Sequence, residues 1–222
     1  MSERKVVVPG EVIVKGDNYL PGEGTEKRNG EIVSVVYGLA EETKDLVKVI
    51  PLSGVYIPRR GNVVIGKVEN VTFNGWVIDI DAPENAFLQL AEVPTFVNKN
   101  NIEEVMDIGD MVVAKIKEVN KRGVDVTIKG SRSFGRIDNG MLIRINPNKV
   151  PRVIGKEGSM VNLIKEETGC DITIGQNGFV SISGDKIEDE LFAKKAIEFV
   201  TERSYIDGLT DELKKWFKGN KK

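Results

Sequence analysis

The sequence predicts a multidomain protein that is mainly β in its first part and α+β in its last part. Up to about residue 130, short β-branched and apolar runs alternate with Gly, Pro, Asn and Asp, the pattern of short strands joined by turns. After residue 150, apolar residues recur at helical spacing among charged ones. With 222 residues the chain is long enough for two or three small domains, each with its own core.

The first domain, predicted at residues 1–58, reads as a small β barrel or sandwich. Its acidic residues are scattered along the sequence, so we interpret it as a docking module without catalytic residues. The predicted strands are separated by turn residues such as Pro9-Gly10 and Asn29-Gly30, and they are Val6–Val8, Val12–Val14, Ile32–Tyr37, Leu46–Ile50 and Val55–Ile57.

The second domain, predicted at residues 59–130, has five strand-like runs, the number found in an oligonucleotide-binding (OB) barrel. Two aromatic residues at the first hairpin, Phe73 and Trp76, are candidate platforms on which bases stack. The strand pattern leaves open whether Trp76 lies in the barrel core or on its surface. The predicted strands are Val63–Glu69, Gly75–Ile80, Ala86–Gln89, Met111–Val119 and Val124–Ile128.

The third domain, predicted at residues 131–222, is organised around a Gly-x-x-Gly loop, Gly155-Lys156-Glu157-Gly158. The residues before it, Val153 and Ile154, read as a strand or turn, and a helix follows from Met160 to a C′ glycine at Gly169. Amides at a helix N-terminus are unpaired and lie at the positive end of the dipole, so the loop predicts a phosphate cradle with Lys156 adding charge. We therefore take all four loop residues as candidate RNA contacts.

The elements around the loop strengthen this interpretation. A first strand is predicted at Leu142–Ile145, and a hairpin of strands 171–174 and 179–182 follows the helix. An amphipathic helix capped by Asp185 comes next, and a short last helix capped by Thr210 carries Trp216 and Phe217, which we expect to pack on the sheet. The order strand-helix-helix-strand-strand-helix resembles a type I K-homology domain, whose loop clamps single-stranded nucleic acid.

Charge is distributed unevenly along the chain. Residues 61–110 contain two basic residues and nine acidic residues, whereas residues 115–156 contain eleven basic residues and three acidic residues. Such a basic stripe favours a polyanionic partner, because phosphate neutralisation releases counterions. The alternative is a solvated surface. The stripe supplies five further candidate RNA contacts, Lys121, Arg122, Arg132, Arg136 and Arg152.

Histidine is absent and cysteine occurs once, at Cys170, which we expect to be a small buried residue. The absence of histidine excludes Ser-His-Asp and Cys-His catalysis and the usual zinc sites. We therefore expect no catalytic residue, no metal and no cofactor. No signal peptide or membrane span is recognisable, so a cytoplasmic location without membrane contact is expected.

The second domain also resembles the S-one type RNA-binding domain. The matching segments are 61–68, 75–80, 107–116 and 124–129. Where that family commonly has a base-contacting histidine, this chain has Gln89, so the resemblance implies loose backbone binding rather than strong sequence reading.

The order of the three domains resembles the RNA-binding cap subunits of archaeal exosomes, with matches that include 7–11, 36–38, 50–54, 150–156 and 204–210. The resemblance implies a non-catalytic subunit. It implies that three copies, or copies with a related cap protein, sit on a hexameric ring of phosphorolytic subunits, docked through the first domain. It also implies capture of single-stranded RNA, with adenine-rich tails favoured, and a structural role for the Gly-x-Asn-Gly segment at 175–178.

Two other functions remain open from the residues alone. One is a transcription or translation factor that combines an S-one barrel with K-homology domains, although only one Gly-x-x-Gly loop is present. The other is a metal-dependent nuclease that uses Asp79, Asp81 and Glu84 as ligands.

Overall fold

The computed structural model describes residues 5–95, 102–120, 123–204, 206 and 208–220. The chain forms two compact units, Met1–Gly54 and Val55–Lys222. Among the described helices, none has the length and apolar character needed to cross a membrane.

The first unit consists of two small sheets, with strand orders β1-β6-β7-β3 and β2-β5-β4. Val7, Ala40 and Val49 form its buried core, and Ile13 and Val36 pack against them. The strands are β1 (Lys5–Val7), β2 (Val12–Lys15), β3 (Leu20–Pro21), β4 (Thr25–Arg28), β5 (Glu31–Ser34), β6 (Gly38–Thr43) and β7 (Leu46–Pro51).

The prediction for this region was incomplete. The run Val55–Ile57 is not a strand: it pairs with no described strand, and the side chains of Val55 and Ile57 are each 68% exposed. β-branched residues favour a strand only when a neighbouring strand is available to pack against. Conversely, β6 was missed because its Leu39–Thr43 segment contains two glutamates and reads as polar.

Five strands of the second unit form a closed barrel, in which β12-β10-β9-β8-β11 is the strand order and β12 pairs with β11. The OB-type prediction is confirmed. The strands are β8 (Val63–Thr72), β9 (Gly75–Asp79), β10 (Ala86–Gln89), β11 (Met111–Asn120) and β12 (Gly123–Thr127). A short helix α1 (Ile102–Val105) lies between β10 and β11, and β13 (Gly135–Arg136) adds to β11.

The remaining residues fold as the predicted K-homology domain. A sheet of order β14-β16-β15 packs against helices through a common apolar core. The elements are β14 (Met141–Arg144), α2 (Val150–Ile154), α3 (Ser159–Thr168), β15 (Asp171–Ile174), β16 (Phe179–Ser183), α4 (Ile187–Glu202) and α5 (Leu209–Asn220). Cys170 is buried, as expected.

Three local predictions in this domain were wrong. Val153 and Ile154 end helix α2, because Pro151 in the first turn has the backbone angle that starts a helix. Lys186, whose side chain makes no capping hydrogen bond, occupies the N-cap position of helix α4 in place of Asp185, and α5 begins one residue before Thr210.

The ring of Trp216 contacts helix α4. Its ring stacks on Phe192 at 5.3 Å between centroids and lies 5.5 Å from the Phe199 ring. Both phenylalanines belong to α4, so α5 extends the helical layer of the domain.

Candidate nucleic-acid interface

The Gly-x-x-Gly loop joins α2 to α3, and its two glycines have different roles. Gly155 has φ 75° and ψ 175°, and a Cβ there would lie 2.7 Å from the Met160 amide nitrogen. Gly158 has φ 80° and ψ 8°, and a Cβ there would meet no atom closer than 3.5 Å. Glycine is therefore required at position 155 because a side chain would clash with the start of α3. At position 158 a side chain would have room, and glycine is favoured only by the left-handed backbone angles.

The loop leaves two backbone amides available. The Gly155 amide donates to the Pro151 carbonyl oxygen at 3.0 Å, and the Gly158 amide donates to the Gly155 carbonyl oxygen at 3.3 Å. The amides of Lys156 and Glu157 have no such partner among the described residues. The predicted cradle of four nitrogens thus has two open ones.

The backbone angles aim these two amides at a common point. Lys156 has helical angles and Glu157 left-handed ones, a succession that forms an anion-binding concavity called a nest. The ten-residue helix α3 begins directly after the loop and adds the positive end of its dipole.

Three of the basic residues predicted to contact RNA have side chains that are exposed and form no ion pair with a described acid. Lys156, Arg152 and Arg132 form no ion pair with any acid in the described part of the chain. Lys156 belongs to the loop and Arg152 to α2, immediately before it. Arg132 lies with Ile128 and Phe134 at an open pocket of about 460 Å³.

The other residues of the basic stripe that were predicted to contact RNA are Arg136, Lys121 and Arg122. Arg136 pairs with Asp138 at 2.7 Å and Asp110 at 3.5 Å, and these carboxylates raise the pKa of its guanidinium. Part of its charge is engaged by these two carboxylates, and its role as an RNA contact stays a prediction. Lys121 and Arg122 lie outside the described residues.

The two predicted aromatic platforms differ in exposure. Phe73, at the β8–β9 turn, is 79% exposed and is free to stack on a base. Trp76 is 0% exposed, and its indole Nε1–H donates to the Met106 carbonyl oxygen at 2.8 Å. Trp76 is therefore a core residue and its selection as an RNA contact was wrong, since it lies on the inner face of β9 with Ile78.

A further aromatic residue, Phe87, was missed. It is half-buried on the outer face of β10, where it pairs with Val77 on β9 and with Asp125 on β12. The exposed Gln89 is two residues further along the same face. The alternation of buried Ala86 and Leu88 with these two residues was the available signal.

The barrel and the K-homology domain are joined by the loop between β15 and β16. The Gln176 amide donates to the Val63 carbonyl oxygen at 2.8 Å, and the Val63 amide donates to Gln176 Oε1 at 2.6 Å. Asn177 is fully buried beside them.

The Asn177 side chain satisfies three backbone groups of the barrel. Its Nδ2 donates to the carbonyl oxygens of Ile65 at 2.7 Å and Ile80 at 2.8 Å, and its Oδ1 accepts from the Ile65 amide at 3.3 Å. An ion pair between Arg144 on β14 and Asp81 after β9 adds a second connection. The segment 175–178 therefore holds the two domains together and is not available to nucleic acid.

The three candidate metal ligands do not form a site. Asp81 is paired with Arg144, and its amide donates to Asp79 Oδ1 at 2.8 Å. No group of three or more His, Cys, Asp or Glu side chains among the described residues has the arrangement to hold a metal ion.

Comparison with protein families matches all three regions of the chain. Residues 6–42 match the family described as "Exosome complex exonuclease RRP4 N-terminal region", residues 55–104 match "RRP4, S1 domain", and residues 141–199 match "KH domain".

Curated relatives match nearly all of this chain and most of their own length. Exosome complex component Rrp4 of Methanothermus fervidus is 40% identical over 218 residues, which is 97% of this chain and 96% of the relative. The chain belongs to the Rrp4 family. The Rrp4 of Thermococcus kodakarensis is 41% identical, over 96% of this chain and 84% of the relative.

The structural comparison agrees with this assignment. A crystal structure provisionally classed as an exosome complex RNA-binding protein superposes with a TM-score of 0.66 at 32% identity, covering 75% of this chain and 97% of the other. Rrp4 is an RNA-binding component of the exosome with S-one and K-homology domains, not a catalytic subunit. This Rrp4-family chain retains both loop glycines.

Proposed function

We propose that the chain is a cap that captures single-stranded RNA at the Gly-x-x-Gly loop and passes it to a phosphorolytic ring for degradation from the 3′ end. The observation that carries the proposal is the nest at Lys156 and Glu157, with two open amides and α3 directly behind it. Lys156 in the loop and Arg152 in the preceding helix α2 are both exposed and add positive charge. A phosphodiester carries the oxygens and the charge that this arrangement accepts.

Base contact is proposed for the exposed Phe73 on the barrel, with Phe87 as a partly exposed second platform. Stacking accepts every base, and modest preferences follow stacking strength. A preference for adenine-rich tails is consistent with such platforms.

Docking on the ring is proposed for the outer face of the sheet β1-β6-β7-β3. Val6, Leu39 and Ile50 are direct cross-strand neighbours on that face, and Val6 and Ile50 are 51% and 38% exposed. A contiguous row of exposed apolar residues on one face of a sheet is a typical protein-binding surface. We further propose three cap subunits per ring, either copies of this chain or of a related cap protein, and a cytoplasmic location.

RNA capture is tested with fluorescence anisotropy on labelled single-stranded RNA. Gly158→Asp places a carboxylate where the phosphate binds, and we expect binding to weaken by about 1–3 kcal/mol. Gly169→Asp is the matched control, because Gly169 also has left-handed angles, φ 70°, and open space, but lies at the other end of α3. Equal affinity of the Gly158→Asp variant and the wild-type chain would refute the assignment of the loop.

Ring docking is tested by reconstitution with phosphorolytic subunits and a measurement of phosphate-dependent RNA degradation. We expect Ile50→Lys to abolish the acceleration that the cap provides while RNA binding by the isolated chain is unchanged. Ile108→Lys is the control, since Ile108 is 61% exposed on the barrel. Full acceleration by the Ile50→Lys variant would refute the docking face.

A further inference from the structure

Glu157 is an unusual residue for its position in the loop. Its backbone has φ 54° and ψ 27°, left-handed angles that glycine and asparagine adopt at lower cost. Its side chain is exposed and forms no ion pair with a cation of the described residues. Packing and charge pairing within the chain therefore do not account for a glutamate here.

The charge of Glu157 opposes the ligand of the loop. The carboxylate belongs to the same residue as one of the two open amides, so a phosphate bound in the nest lies within about one Debye length of it, roughly 10 Å at 0.1 M salt. At that separation two like charges at a protein surface repel measurably, and salt screens the repulsion. The neighbouring Lys156 attracts the same phosphate.

We propose that Glu157 is an affinity-limiting residue that keeps the grip of the loop on RNA weak enough for the strand to move on. A site that passes a charged chain onward must bind it well enough for entry and weakly enough for exit. The nest and Lys156 attract the incoming phosphate, and repulsion by the Glu157 carboxylate speeds its dissociation. This inference rests on the proposed role of the loop in RNA capture.

The decisive variant is Glu157→Gln, which removes the charge and keeps the length of the side chain and the backbone angles. Equilibrium affinity and the dissociation rate of labelled single-stranded RNA are measured by anisotropy and stopped flow, at about 50 mM and about 500 mM salt. We expect affinity to rise about threefold to tenfold at low salt, mainly through slower dissociation, and the gain to shrink at high salt. Glu166→Gln removes the same charge from an exposed position near the C-terminal end of α3 and serves as the control.

The outcomes separate this inference from the proposed function when Gly158→Asp is measured in parallel. If Gly158→Asp weakens binding and Glu157→Gln leaves it unchanged or weaker, the loop binds RNA and the affinity-limiting role is wrong. If neither variant changes affinity, the loop is not the RNA site and both proposals fail. Tighter binding by Glu157→Gln and by Glu166→Gln alike would show a general charge effect and would also overturn the inference.

Discussion

Replacing Asn177 with alanine should uncouple the barrel from the K-homology domain. The substitution leaves three buried backbone groups without partners, namely the Ile65 amide and the carbonyl oxygens of Ile65 and Ile80. With about 1 kcal/mol for each lost hydrogen bond, the free energy of unfolding should fall by about 3 kcal/mol. Asn177→Asp should cost more, because an anionic oxygen would then face two carbonyl oxygens in a buried site.

Each domain contains its own fluorescent reporter, because Trp76 lies in the barrel core and the partly buried Trp216 packs against the K-homology core. Urea unfolding of the Trp216→Phe variant then follows the barrel through Trp76 fluorescence and the whole chain through far-UV circular dichroism, so both transitions are measured on one protein. We expect the two transitions to coincide with Asn177 present and to separate in Asn177→Ala. Asn70→Ala, at an exposed position of β8, should change the free energy of unfolding by less than about 0.5 kcal/mol. Coincident transitions and an unchanged midpoint in Asn177→Ala would refute the coupling.

Three further predictions follow from single contacts. Gly155→Ala should destabilise the fold by about 2 kcal/mol or more, because the new Cβ would lie 2.7 Å from the Met160 amide nitrogen and alanine would have to adopt φ 75°. Thermal unfolding measures this loss, and an unchanged midpoint would contradict the prediction. Trp76→Phe should cost about 2 kcal/mol of stability through the lost indole hydrogen bond and residual space, while the RNA affinity of the folded variant stays equal to wild type. Lys117 lowers the pKa of Glu92 from 4.5, so the stability from this pair is present above that pH and is lost as pH falls below it. Lys117→Met should raise the Glu92 pKa toward its ordinary range in a carboxyl NMR titration, and an unshifted titration would argue against the pairing.

Patterns within one element could be predicted from the sequence. The five barrel strands follow from their alternation and turn residues, and β10 was predicted with its observed bounds. The K-homology order was predicted from the helical spacing after the loop and from the hairpin and amphipathic helix that follow, whereas helix α2 before the loop was read as a strand or turn. The two sheets of the first unit were harder, since their strands are as short as two residues.

Properties that depend on distant residues could not be predicted. The pairing of Arg144 with Asp81 joins residues that are 63 positions apart, and the docking of Asn177 on Ile65 joins residues 112 positions apart. No local pattern indicates either contact. The free positive charge of the basic stripe was overestimated because two acids that are distant in sequence, Glu92 and Asp110, pair with Lys117 and Arg136.

The claim that the amides of Lys156 and Glu157 bind RNA phosphate is tested most directly by amide NMR of the full chain. Addition of a short single-stranded RNA should shift these two amide signals the most, with smaller changes at Arg152. Unchanged signals at both residues, with the perturbations confined to the barrel around Phe73 and Phe87, would contradict the account.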